Sequence, residues 1–105
     1  LFMLLAVDDG NDVEGFGFAF LEAAAAGLPV IGARQSGAED AVRDGENGFL
    51  VEPRNAPVAV GAAIRILSDQ TLARRFSAGS RTLAREMSWE AVAERYGALY
   101  RGLIV

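Results

Sequence analysis

Three short apolar runs fall within the first half of the chain: Phe2–Val7 ("FMLLAV"), Pro29–Ala33 ("PVIGA") and Gly48–Glu52 ("GFLVE"). The segments between them are too long for hairpins. Each holds a helical pattern, so the order reads strand, helix, strand, helix, strand. Strands so spaced pair in parallel, through right-handed helical crossovers. The continuous apolarity of Phe2–Val7, ended by Asp8-Asp9-Gly10, suits a strand covered on both faces. "FAFLEAAAA" (Phe18–Ala26) is rich in helix formers, and Gly27 stands where a C-terminal cap belongs. Pro29 opens the second strand at a permitted first position. Gly37–Arg43 reads as a short helix running into the turn "DGENG", and Pro53 closes the third strand.

Beyond Pro57 the strand pattern stops. Val58–Ser68 carries Val60, Ala63, Ile64 and Leu67 at helical spacing. Thr71–Met87 carries Leu72, Phe76, Leu83 and Met87 on one face. A last helix is expected from Ser88, a suitable N-cap, with Trp89, Val92, Tyr96, Leu99 and Leu103 at core spacing. The expectation is a single partial domain: 1–57 as a βαβαβ unit and 58–105 as C-terminal helices.

Composition narrows the chemistry. With 105 residues, 51% hydrophobic and 23% charged, the chain is globular and large enough for one small core. It has no Cys, no His and no Lys, and all ten basic residues are Arg. Thiolate chemistry, imidazole catalysis and Cys- or His-based metal sites are therefore excluded. The net charge of −4 is uneven: residues 1–60 hold ten acids against three Arg, whereas 61–105 hold four acids against seven Arg. No dense basic surface with interleaved aromatics is present, which argues against nucleic acid as a partner. No apolar run has the length of a membrane helix. The opening "LFMLLAV" lacks the basic start and cleavage site of a signal peptide, and a cytoplasmic location is expected.

The loop after the first strand, "DDGNDVEGFG", leads into the helix at Phe18 and holds Gly15 and Gly17. In open parallel sheets, ligands sit beyond the carboxyl ends of the strands, where helices begin. Glycines there let backbone N–H groups approach a ligand closely, and a helix start favours an anion. Ser36-Gly37 repeats the arrangement after the second strand. Glu14 and Glu22 flank the glycine turn with seven residues between them. Taken alone, such a turn is most often only a turn, and two such acids are most often solvated surface.

The stretch "EGFGFAFLEAAAAGLPVIGARQSGAEDAVRDGENGFLVEP" adds order and register to these signals. It resembles the signature of the family 4 retaining glycosyltransferases, in which a Glu-x7-Glu pair, a Gly-Phe-Gly, a Gly-x-Pro-Val strand and an Asp-Gly-x-x-Gly turn occur in this order. The match is close over residues 1–55, and "SWEAVAERYGALYR" is similar to the family's C-terminal helices. The resemblance implies part of the C-terminal domain of a GT-B fold: an α/β, Rossmann-like parallel sheet of about three strands with flanking helices and a helical C-terminal tail. It implies a nucleoside-diphosphate sugar donor (GDP- or UDP-sugar), no metal and no cofactor. Glu14 is then the catalytic position, beside the donor sugar. Gly15, Phe16, Gly17 and Phe18 line the sugar and diphosphate, and Glu22 accepts hydrogen bonds from the ribose hydroxyls. A carboxylate, being acceptor-only, suits a diol that donates two bonds. Arg34 matches no functional position of the family and is expected to be solvated. The basic residues that neutralise the diphosphate, and the acceptor domain, are expected upstream of Leu1, so the fragment alone should be inactive.

Two other readings stay open on the residues. Glycoside hydrolysis by Glu14 and Glu22 requires carboxyls about 5–5.5 Å apart in a retaining enzyme, which the spacing does not favour. A stand-alone nucleotide-binding or self-associating module, without catalysis, is the non-enzymatic alternative. As an isolated chain, self-association is expected through an open sheet edge or exchange of the last helix.

Overall fold

The computed structural model describes the backbone of residues 1–5, 14–35 and 37–87, and the side chains of these except 14–18, 37 and 40. Three parallel strands, β1 (Phe2–Leu4), β2 (Val30–Ala33) and β3 (Gly48–Val51), form a sheet in the order β1-β2-β3. The register aligns Met3, Ile31 and Phe49 in one row across the sheet. Helix α1 (Glu14–Ala25) and a 3-10 turn (Gly37–Asp40) connect the strands, and α2 (Ala56–Ser68) and α3 (Gln70–Glu86) follow. The α/β, parallel architecture is the one the apolar runs predict.

Alternation along the strands sends side chains to two cores. On one face Val30 packs with Phe20 and Ala23 of α1 and with Ala38, Ala41 and Val42, joined by Phe2, Leu4 and Leu50. On the other face Ile31 and Val51 pack with Ala59 and Ile66 of α2 and Leu72 and Phe76 of α3, joined by Phe49. Each core holds an edge-to-face aromatic pair. Phe2 and Phe20 meet at 5.1 Å, and Phe49 and Phe76 at 5.0 Å.

The helix ends have local causes. The α1 helix stops at Ala25, and Gly27, at φ 76°, turns the chain back toward β2. The Asn55 side chain accepts from Val58 N–H, which starts α2 at Ala56, and Pro57 fits the first turn. Asp69 ends α2 and at once caps α3, accepting from Leu72 N–H at 3.1 Å. In the "DGENG" turn, Asp44 Oδ1 accepts from Leu50 N–H at 2.9 Å. Asn47 is fully buried, accepting from Arg43 N–H at 2.7 Å and donating to Ala41 O at 3.1 Å. Gly48 abuts β2 so closely that a Cβ would lie 1.6 Å from Val30 O. The placing of Asp44, Asn47 and Gly48 in this turn is thus explained by the delivery of β3. Ser77 and Ser80 of α3 each donate a 2.6 Å bond to a carbonyl of the turn after α1, Gly27 O and Leu28 O.

Several expectations are corrected. The described part of β1 is covered on one face only: Phe2 and Leu4 pack on the α1 side, and Met3, toward the other side, is 43% exposed. The helix α1 starts at Glu14 rather than Phe18. Of the α2 stripe Val60, Ala63, Ile64 and Leu67, only Ala63 packs against the core, whereas Val60, Ile64 and Leu67 are exposed and Ala59 and Ile66 are buried in their place. The packed face of α2 is made by Ala59, Ala62, Ala63 and Ile66. On α3, Leu72, Phe76 and Leu83 are buried as expected, with Ser80 among them. The expected helix from Ser88, with Trp89 and Tyr96, lies outside the described residues, as do Ala6 and Val7 of the first apolar run.

Candidate functional site

The carboxyl ends of the three parallel strands face the loops that begin α1, the 3-10 turn and α2. Glu14, Gly15, Phe16 and Gly17 are the first turn of α1, not a loop before it. A helix's first four N–H groups have no partner within the helix, so this turn carries the donors and the positive end of the α1 dipole. Helical backbone removes any need for positive φ at Gly15 and Gly17. What glycine contributes there is a bare surface over those N–H groups. Phe18 continues the same helix.

Glu22 lies on α1 eight positions beyond Glu14, about 12 Å further along the axis at 1.5 Å per residue. It is exposed, and among the described residues its carboxylate has no hydrogen-bond or ion-pair partner. A single helix therefore carries both acids but does not bring them together. That backbone spacing does not favour the ~5–5.5 Å carboxyl pair of a retaining hydrolase.

Arg34, just past β2, is not simply solvated. Its guanidinium pairs with Glu52 at 3.2 Å and with Asp44 at 3.5 Å, both acids flanking β3. All three side chains are well exposed, and such pairs contribute little to stability. Their effect is to spend the Arg34 charge locally. Gln35 adopts φ 60°, and its N–H donates to Glu39 Oε1 at 2.7 Å. An internal carboxylate thus occupies the loop that the sequence offered as a second anion position, and the helix there is a 3-10 turn of only 4 residues. Ser36 lies outside the described residues. Arg54, at φ 62° after β3, is exposed with no partner among the described residues.

Sequence reasoning missed the Arg34–Glu52–Asp44 cluster, the Gln35–Glu39 bond and Arg54. Only the four-residue spacing of Gln35 and Glu39 was a local signal, because the Arg34 contacts depend on strand register. Among the described residues no group of three or more acidic side chains is placed to hold a metal ion. Among them, too, no helix is long and apolar enough to cross a membrane.

Residues 2–83 match the family model described as "Glycosyl transferases group 1". The chain is 34% identical over 94 residues to a GDP-mannose-dependent alpha-(1-6)-phosphatidylinositol monomannoside mannosyltransferase of Mycobacterium tuberculosis, covering 89% of this chain and 24% of that protein. It is 46% identical over 89 residues to a D-inositol 3-phosphate glycosyltransferase of Geodermatophilus obscurus, covering 83% of this chain and 19% of that one. Among solved structures, sucrose-phosphate synthase from Thermosynechococcus elongatus superposes with a TM-score of 0.77 at 38% identity, over 85% of this chain and 23% of that chain. This chain therefore spans about a fifth to a quarter of the length of the proteins it matches.

Proposed function

Because the chain belongs to the glycosyl transferases group 1 family, we propose that it is the donor-binding part of a glycosyltransferase that moves a sugar from a nucleoside diphosphate to an acceptor with retention. The observation that carries this reading is the first turn of α1, Glu14–Gly17, starting beyond the carboxyl end of a parallel sheet, with the unpartnered Glu22 on the same helix. Backbone N–H groups at Gly15, Phe16 and Gly17 receive the diphosphate, where the helix field favours an anion. Glu22 accepts from the two ribose hydroxyls, and Glu14 from the hydroxyls of the sugar. The ~12 Å between the acids suits the two ends of an extended sugar nucleotide better than one bond between them. Negative charge that develops on the leaving diphosphate is stabilised by fixed N–H dipoles that need no reorganisation. GDP-mannose is named for one relative, which makes a guanine nucleotide the first donor to try.

Calorimetric titration of the chain with GDP, UDP and GDP-mannose tests the reading. A charge-assisted hydrogen bond contributes about 1.5–3 kcal/mol, so Glu22→Gln should weaken GDP binding about 10- to 150-fold. Glu14→Gln should leave GDP unaffected and remove the extra affinity for GDP-mannose. A folded chain that binds no nucleoside diphosphate, or equal GDP affinities in wild type and Glu22→Gln, would overturn the assignment.

A further inference from the structure

Asn47 and Gly48 are each required by the way β3 is delivered, and together they form a chemically labile pair. Asn47 fills its buried place by bonding to Arg43 N–H and Ala41 O. Gly48 is required because a Cβ there would lie 1.6 Å from Val30 O. A glycine nitrogen, with no side chain beside it, is the least hindered nucleophile that a backbone offers to the side-chain carbonyl before it. Of the three asparagines, Asn11, Asn47 and Asn55, only Asn47 precedes a glycine. Where the pair is free to move, the Gly48 nitrogen gives up its proton and attacks Asn47 Cγ. A C–N bond forms, the Cγ–Nδ2 bond breaks, and Nδ2 leaves with a proton as ammonia. Water then opens the resulting succinimide at either carbonyl, giving aspartate or isoaspartate. The balance needs water alone.

The native fold holds each part of this reaction in check. Closing the ring resets two torsions of Asn47, about Cα–Cβ and about Cα–C. The first carries the amide, held at 2.7 Å by Arg43 N–H and at 3.1 Å by Ala41 O. The second carries the Asn47 carbonyl, which accepts from Val30 N–H at 3.0 Å, while the Asn47 N–H donates to Arg43 O at 3.2 Å. Water must also reach the pair, yet Asn47 is 0% exposed and Gly48 is buried. The entry to β3 therefore has to leave β2 before the bond can form. We propose that Asn47–Gly48 is a fold-gated deamidation site, which turns a transient opening of β3 into a permanent one. Neither product fits back. Aspartate sets a second oxygen against Ala41 O, in place of the donor that bonded it. Isoaspartate routes the main chain through the side-chain methylene and lengthens it where the walls are tight. Gly48 abuts Val30 on one side, and on the other a Cβ at Gly79 of α3 would lie 2.1 Å from Glu46 O and 3.3 Å from Asn47 Cα.

The test needs no variant. The chain is incubated at about pH 8.5 and 37 °C, with and without concentrated guanidinium chloride, and digested with trypsin. The peptide Asp44–Arg54 contains Asn47 as its sole asparagine, so mass spectrometry of that peptide reads the change from amide to acid. In denaturant Asn47 should convert faster than Asn55. Without denaturant its conversion should be at least about 100-fold slower, because the rate is scaled by the fraction of time that β3 is open. Ion exchange separates the product by its added negative charge, and its urea midpoint should lie below that of the unmodified chain. Equal rates with and without denaturant would overturn the gating. A deamidated chain with an unchanged urea midpoint would overturn the permanence, and Asn55 outpacing Asn47 in denaturant would overturn the site itself.

Discussion

Asn47 is the side chain on which the entry into β3 depends, and its replacement has a size that follows from the structure. The residue is fully buried, with its amide divided between Arg43 N–H and Ala41 O. Asn47→Ala strands the buried Ala41 carbonyl, which costs about 1–3 kcal/mol, and loosens the part-buried Arg43 N–H, which costs about 0.5–1.5 kcal/mol. The expected loss is about 2–4 kcal/mol, a fall in Tm of about 10–25 °C for a domain near this size. Asn47→Asp separates the two bonds. It keeps the acceptor for Arg43 N–H but turns a carboxylate oxygen toward Ala41 O. Burial raises that carboxyl's pKa above its unfolded value near 3.9. Between the two values the folded state holds a proton that the unfolded state has released. Stability is therefore retained at low pH and lost as pH rises through the folded pKa. Urea titrations from pH 4.5 to 8 read both effects. A loss below about 1 kcal/mol for Asn47→Ala, or an Asn47→Asp stability that does not change with pH, would refute the reasoning.

Other outcomes follow from the same geometry. Ser80→Ala should cost about 1–2 kcal/mol in urea, since the Leu28 carbonyl loses its 2.6 Å partner. Gly17→Val places a branched side chain over the first turn of α1, so GDP binding should vanish while Tm holds, valine being no worse than glycine in a helix. Unchanged GDP affinity in that variant removes the close-approach argument. The 105-residue chain by itself is expected to transfer no sugar from GDP-mannose or a UDP-sugar, and product appearing in a radiolabelled transfer assay would count against it.

What the sequence made legible follows from which forces are local. The β2 strand was found within one residue because Pro29 bounds it and all four of its residues are buried. Gly27 acts on its nearest turn, so its capping role was readable without a fold, whereas the Asn55 cap on α2 was not read. The inward face of α2 was not. Its stripes Ala59–Ala63–Ile66 and Val60–Ile64–Leu67 are both apolar at helical spacing, and periodicity cannot choose between them. The choice is made by the close approach of α2 to Ile31 and Val51, a tertiary matter. The exposure of β1 is likewise invisible in an apolar run, which says how a strand is composed and not what lies beside it. Gly15 and Gly17 delayed the expected start of α1, because each disfavours helix by about 1 kcal/mol relative to alanine. Burial of Phe20, Ala23 and Ala24 further along the helix outweighs that cost.

That earlier start changes the electrostatics of the candidate site more than its membership. With Glu14–Gly17 in the helix, the diphosphate would meet neutral N–H donors aligned along one axis, and the dipole supplies only partial positive charge. Full cations at this end of the sheet are scarce among the described residues. Arg34 is held by Glu52 and Asp44. Arg54 is unpaired but follows β3, two strands from β1 and so roughly 10 Å across the sheet. A helix start can bind a dianion of this kind, but it cannot fully compensate the charge that builds on it as the glycosidic bond breaks. Donor binding and donor cleavage should therefore part company in this chain, with GDP affinity measurable by calorimetry and turnover absent. Added Arg or Lys side chains would have to reach the first turn of α1 from outside residues 1–105 for the second to appear.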